Sequence, residues 1–99
     1  MGWATEYIAK LQKGETVSFR PHGKSMKGKI ESGQLCTVSP TLGDLKVGDI
    51  VLCKVKGSEY LHLIKAIKDG KYQIGNNCGH MNGWIEPKFI YGKLIKVEN

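Results

Sequence analysis

The sequence predicts a mainly β domain led by one short N-terminal helix, and three observations predict it. After Gly14, short runs rich in Val, Ile, Leu, Thr and Tyr are separated by Gly, Pro, Asn and Asp, which is the texture of small all-β domains. Residues Val51, Cys53 and Val55 alternate with Ile50, Leu52 and Lys54, the period of two that puts successive side chains on opposite faces of a strand. The chain of 99 residues is 40% hydrophobic and 24% charged, enough for one core and too short for two. A single domain spanning 1–99 is therefore expected, with a helical segment at 1–14 and a β core at 15–99.

The elements follow in order. Over 2–13, Trp3, Tyr7 and Leu11 recur every four residues with Ala4 and Ile8 beside them, and Gly14 stands where a helix stops. Glu6, Lys10 and Lys13 fall on the outer side of that helix. Strands are predicted over 16–20, 35–39, 49–56, 60–68, 71–75 and 89–97. Gly57-Ser58 and Asp69-Gly70 are compact enough to reverse the chain, so the strands between 49 and 75 form a meander. Residues 76–84 read as a polar, turn-rich loop, with Trp84 in the core or in a lid. On the last strand Gly92 would relieve crowding.

Composition narrows the function. Lys and Arg outnumber Asp and Glu by 15 to 9, for a net charge of +6, which favours acidic partners through long-range attraction. Arg20 is the only arginine, and arginine is the residue that reads guanine edges and grips phosphate in two-pronged fashion. Sequence-specific nucleic-acid binding is thus disfavoured, and a non-specific, salt-sensitive mode would rest on charge alone. Neither an apolar run long enough to span a membrane nor the pattern of a signal peptide is present, so a cytoplasmic chain without a membrane anchor is expected. Cys36, Cys53 and Cys78 are odd in number and lack a CxxC spacing, which points to reduced thiols. Cys78 and His80 make one close pair, with His62 and His22 as the only further histidines, but structural zinc sites announce themselves through two such pairs, and no metal or other cofactor is expected.

The chemistry concentrates in residues 19–30, where Pro21-His22-Gly23-Lys24-Ser25-Met26-Lys27-Gly28 forms a glycine-flanked loop between two strands. A serine in such a loop has an accessible hydroxyl and neighbouring amides free to face a developing oxyanion. It needs a base, and the candidates are His62 and Lys65 on the strand 60–68. By alternation His62 shares a face with Tyr60, Ile64 and Ala66, while Lys65 points the other way with Leu61, Leu63 and Ile67, so only one of the two can serve.

The ordered set Gly23-Lys24-Ser25-Met26, Gly33, Val47-Gly48-Asp49-Ile50-Val51 and Tyr60-Leu61-His62 resembles the catalytic domain shared by type I signal peptidases and LexA-type self-cleaving repressors. The likeness runs over about 17–97. It implies a strongly curved sheet or small partly closed β-barrel. It also implies a Gly-x-Ser-Met box with Ser25 as nucleophile and a base at His62, 37 residues further on. The Ser25 backbone N–H would line the oxyanion hole, with Gly23 and Met26 as neighbouring contributors. The chain departs from the family in three places. Lys27-Gly28 stands where the peptidases have a residue and then Pro, and Gly33-Gln34 where Gly-Asp is common. The segment Gly75-Asn76-Asn77-Cys78-Gly79-His80-Met81-Asn82 lacks the Asp that orients the base in the His-type enzymes. Asn82 could hold the imidazole in its place, without the negative charge.

The expected function is a serine peptidase-like domain that cleaves a peptide bond with a Ser25–His62 dyad, its peptide or protein substrate supplied in trans. The alternative is a catalytically silent β module that binds a protein partner or a viral or bacterial assembly.

Overall fold

The computed structural model describes residues 2–40 and 43–99, so Met1 of the predicted 1–14 segment lies outside the described residues. Helix α1 (Thr5–Gln12) leads into β1 (Val17–Phe19), β2 (Leu35–Ser39), β3 (Ile50–Val55), β4 (Ser58–Lys68), β5 (Lys71–Gly75), β6 (Met81–Ile85), a 3₁₀ turn (Pro87–Phe89) and β7 (Ile90–Glu98). All seven strands join one antiparallel sheet in the order β1-β2-β7-β3-β4-β5-β6. The sheet is not closed: β1 and β6 are its edges. It is nevertheless curled, because a Cβ on Gly83 of β6 would stand 3.4 Å from Val55 Cγ1 of β3, although β4 and β5 separate the two strands.

Apolar residues cover both faces. Val51, Leu52 and Cys53 of central β3 are wholly buried. Leu52, with Leu61, Leu63, Cys36 and Val38, packs under α1 through Ala4, Ile8 and Leu11. Val51, Cys53 and Val55 pack inside the curl with Ile64, Ile74, Ile85 and Ile90. Glu6, Lys10 and Lys13 lie exposed, as the helical spacing requires. Burial also pushes the Cys53 thiol up to about 12, so it stays protonated and acts as a small apolar group.

Helix α1 is shorter than its apolar spacing suggests because its first residues are used to anchor it. Ala4, at the N-cap, has no capping side chain. Buried Glu59 of β4 supplies the cap instead, accepting from the Ala4 N–H at 2.7 Å and the Thr5 hydroxyl at 3.0 Å. Its negative charge sits at the positive end of the helix dipole. The Trp3 indole donates to the Glu59 carbonyl at 3.0 Å, and its ring meets Phe19 edge-on at 5.5 Å.

The two hairpins turn through left-handed pairs. Asp69 (φ 51°) and Gly70 (φ 74°) form the second, as predicted. The first uses Lys56 (φ 53°) and Gly57 (φ 84°), with Val55 paired to Ser58, so the reversal comes one residue earlier than Gly57-Ser58 and β4 starts at Ser58. The right-handed twist of the flanking strands selects this pair of positive φ angles. Gly92 has the role expected of it: a Cβ there would lie 2.5 Å from Val38 Cγ1 and 3.0 Å from Leu11 Cδ1.

Three sequence expectations are corrected. Residues 81–85 form edge strand β6, so the turn-rich loop ends at His80. Trp84 on that edge is 46% exposed and is not core. The face shared by Tyr60, His62 and Ile64 does not continue to Ala66, because the register against β5 jumps from Ile64–Ile74 to Ala66–Gln73 and leaves Lys65 as the extra residue of a β-bulge.

Candidate active site

Ser25 lies in the connection between β1 and β2 (20–34), a loop built on buried anchors. Met26 and Ile30 point into the core beneath α1. Amides of Lys27, Lys29 and Ile30 close one helical turn back onto Lys24 and Met26. With Met26 fixed below, the adjacent Ser25 side chain is left at the surface, exposed to solvent.

A second loop clamps the first. Gly75-Asn76-Asn77-Cys78-Gly79-His80 joins β5 to β6, and Asn76 Oδ1 accepts from the Cys78 and His80 amides at 2.8 and 2.9 Å. That fold of the loop presents Asn77, whose N–H donates to the Ser25 carbonyl at 2.9 Å and whose amide Nδ2 donates to the Lys27 carbonyl at 2.7 Å. Cys78 adds a weak S–H contact to the Lys24 carbonyl at 3.4 Å. Gly75 permits the turn, since a Cβ there would lie 2.7 Å from the His80 carbonyl oxygen.

On β4, His62 is buried at 6% exposure and paired across to Val51. Its Nε2 lies 3.2 Å from Ser25 Oγ, and its Nδ1 lies 2.7 Å from Asn82 Oδ1. An amide oxygen only accepts, so Nδ1 carries the hydrogen and Nε2 presents its lone pair to the serine O–H. Tyr60 stacks beside the imidazole, centroids 4.8 Å apart. Burial is the main influence on the imidazole pKa and lowers it below the ordinary 6.5; the Asn82 hydrogen bond pulls it up and nearby His80 pushes it down. The ring is therefore neutral at neutral pH, the form in which it accepts a proton.

Asn82 reaches this position through a bulge. Gly75 pairs with Met81 and Ile74 with Gly83, so Asn82 is the extra residue of β6. Bulges re-aim single side chains and are frequent beside active sites.

Of the residues singled out from sequence, the fold brings Ser25, His62 and Asn82 into one chain of hydrogen bonds. Lys65, at the β4 bulge, does not join them; its Cγ lies 3.0 Å from where a Gly75 Cβ would be. The Gly23 N–H donates to Ser32 Oγ at 3.0 Å. The N–H groups of Ser25 and Met26 make no hydrogen bond among the described residues. Also among the described residues, no three His, Cys, Asp or Glu side chains converge as a metal would require. Ser25, His62 and Asn82 share a cleft of about 420 Å³ with Trp3, His22 and His80. Sequence reasoning gave no role to Asn77 or Glu59, and Tyr60 entered it only as a neighbour of His62. Only the Asn-rich loop after β5 carried a visible sign, since two adjacent asparagines suit a turn that supplies side-chain hydrogen bonds.

No known protein family, curated protein or solved structure matches the chain. Among the described residues no helix is long and apolar enough to cross a membrane.

Proposed function

We propose that this chain is a serine peptidase-like domain of the signal peptidase and LexA type, with Ser25 as nucleophile, His62 as base and Asn82 as the residue that orients the base. The observation that carries this reading is the continuous contact from Ser25 Oγ to His62 Nε2 (3.2 Å) and from His62 Nδ1 to Asn82 Oδ1 (2.7 Å). Nucleophile and base lie at the long edge of hydrogen-bond reach, as is common without substrate.

In the reaction, Ser25 Oγ attacks the carbonyl carbon of the scissile peptide while its proton passes to His62 Nε2. The carbonyl oxygen becomes an oxyanion held by the Ser25 amide, with the Met26 amide beside it. The tetrahedral adduct collapses as Nε2 returns the proton to the leaving nitrogen, and the C–N bond breaks to give an acyl ester on Ser25. Water, deprotonated by His62, then hydrolyses the ester. Asn82 keeps the Nδ1–H tautomer throughout but adds no negative charge when the imidazolium forms, so the chemical step is slower than with a carboxylate.

The test combines a fluorophosphonate probe with a peptide library. Covalent labelling and cleavage are expected from the parent and from neither Ser25→Ala nor His62→Ala, with all three equally folded by circular dichroism. Activity is expected to rise with pH at a midpoint below 6.5, since the base must be neutral and its pKa is lowered. A rise only at alkaline pH would assign the base to a lysine. Absence of both labelling and cleavage in the parent would favour the silent binding module.

A further inference from the structure

A second cleft lies away from Ser25, where the β3–β4 hairpin faces β6 and the 3₁₀ turn across the curl of the sheet. It holds about 310 Å³ and is mainly apolar, with Ile85 as its buried floor and Trp84 (46% exposed) and Phe89 (37% exposed) in its walls. Isolated exposed apolar residues are ordinary, but two aromatic rings gathered around a concave apolar floor are characteristic of a contact site. Lys54, Lys56 and Lys71 line the same cleft, against the single acid Glu86. Among the described residues the ion pairs are Lys93–Asp49 and Lys96–Glu98, and none of the three cleft lysines lies within ion-pair distance of a carboxylate. Lys88 stands 5.3 Å over the Phe89 ring and adds to the positive potential.

We infer that this cleft binds an acidic peptide segment carrying an aromatic or large aliphatic anchor residue. The anchor enters between Trp84 and Phe89 onto Ile85, and flanking carboxylates meet Lys54, Lys56 and Lys71. A cavity of this volume is at the small end of ligand sites and suits one bulky side chain with its neighbours. A protein partner is favoured over a nucleic acid because the two aromatic residues gather around one apolar floor at Ile85 instead of forming a row of stacking platforms, and because Glu86 would face phosphates.

The cleft also communicates with the proposed active site, and this extension rests on the peptidase reading. Lys54 and Gly57 line both the cleft and a depression beside Trp3 and Glu59, and those two residues in turn line the cleft that holds Ser25 and His62. Ser58 and His62 are four positions apart on β4, about 13 Å of strand. A substrate running along this path would span at least the four β4 positions that separate Ser58 from His62.

The binding claim is tested separately from cleavage, on the full chain carrying Ser25→Ala so that the probe survives. Fluorescence anisotropy would follow a short dye-labelled peptide with one Phe flanked by aspartates, alongside a version with asparagines for the aspartates and a single-stranded oligonucleotide. The aspartate peptide is expected to bind, to weaken as salt rises, and to lose about tenfold in affinity in the Lys54→Gln/Lys56→Gln/Lys71→Gln variant, from exposed charge pairs worth a fraction of a kcal/mol each. Trp84→Ala is expected to weaken it by a similar factor. Equal binding of the asparagine peptide, no binding at all, or an unchanged triple variant would overturn the inference. So would binding of the oligonucleotide alone. Failure of the peptidase reading would leave these measurements unaffected.

Discussion

Replacing Asn82 by Asp is the substitution that most directly interrogates the candidate site. It exchanges a neutral acceptor for a carboxylate 2.7 Å from His62 Nδ1, beside a ring that is only 6% exposed. An opposite charge this close raises the pKa of a basic group by about 1–3 pH units. That corresponds to about 1.4–4 kcal/mol of added stability for the imidazolium. At the effective dielectric of about 20 that suits such sites, Coulomb's law gives roughly 4 kcal/mol at about 4 Å, which sets the upper end. The His62 pKa should therefore move upwards, opposing the effect of burial. The imidazolium forms in the transition state, so the same stabilisation should raise kcat by roughly 10- to 1,000-fold at a pH where both proteins hold a neutral base, with KM little changed. Proton NMR titration of the His62 ring would measure the first effect and initial rates across pH the second. A His62 pKa unmoved by the carboxylate would refute the contact with Asn82. A raised pKa with no gain in a detectable cleavage rate would refute the role of His62 as base.

Other consequences concern stability. Gly92→Ala places a methyl 2.5 Å from the Val38 side chain at Cγ1 and 3.0 Å from the Ser39 carbonyl oxygen, so the surrounding packing must shift, and it is expected to cost about 1–3 kcal/mol in urea denaturation. Glu59→Ala removes the cap of α1 and leaves the Ala4 N–H buried without an acceptor, an expected loss of about 1–3 kcal/mol, with reduced helical signal and altered Trp3 fluorescence. The lowered pKa of His62 means that the unfolded chain binds its proton first as pH falls. Its contribution is therefore fully favourable above about pH 6.5 and declines as pH drops towards the folded value. Melting curves of the parent and His62→Gln should show that this part of the acid slope disappears in the variant.

How much was legible in the sequence follows from which interactions are local. The alternation of Val51, Cys53 and Val55, the Asp69-Gly70 turn and the four-residue spacing in α1 are written in neighbouring residues, and those elements formed where expected. β6 was not legible, because Met81-Asn82-Gly83-Trp84-Ile85 contains a bulge and a glycine and has only one β-branched residue. Its strand conformation comes from pairing with β5 and from seating Ile85 in the curl of the sheet. The Lys65 bulge was equally hidden, since an insertion in one strand is defined only against its partner. Glu59, which falls just before the predicted strand 60–68, acquires its role from an N-terminus 55 positions away.

The same distinction explains the candidate site. Ser25 and His62 were found because their spacing and neighbouring boxes are local patterns, whereas their approach to 3.2 Å depends on Asn77 holding the Ser25 loop against the turn after β5. Asn82 belongs to both schemes: it is three residues past the tight turn at Asn76–Gly79 and is also the bulged residue that turns towards His62. A carboxylate at that bulge would be drawn to the imidazolium but would have to be buried beside a desolvated ring. The amide avoids that cost and retains the hydrogen bond that sets the tautomer. In the proposed peptidase reading, the amide at this bulge trades rate in the chemical step for an uncharged partner that keeps the hydrogen bond to His62.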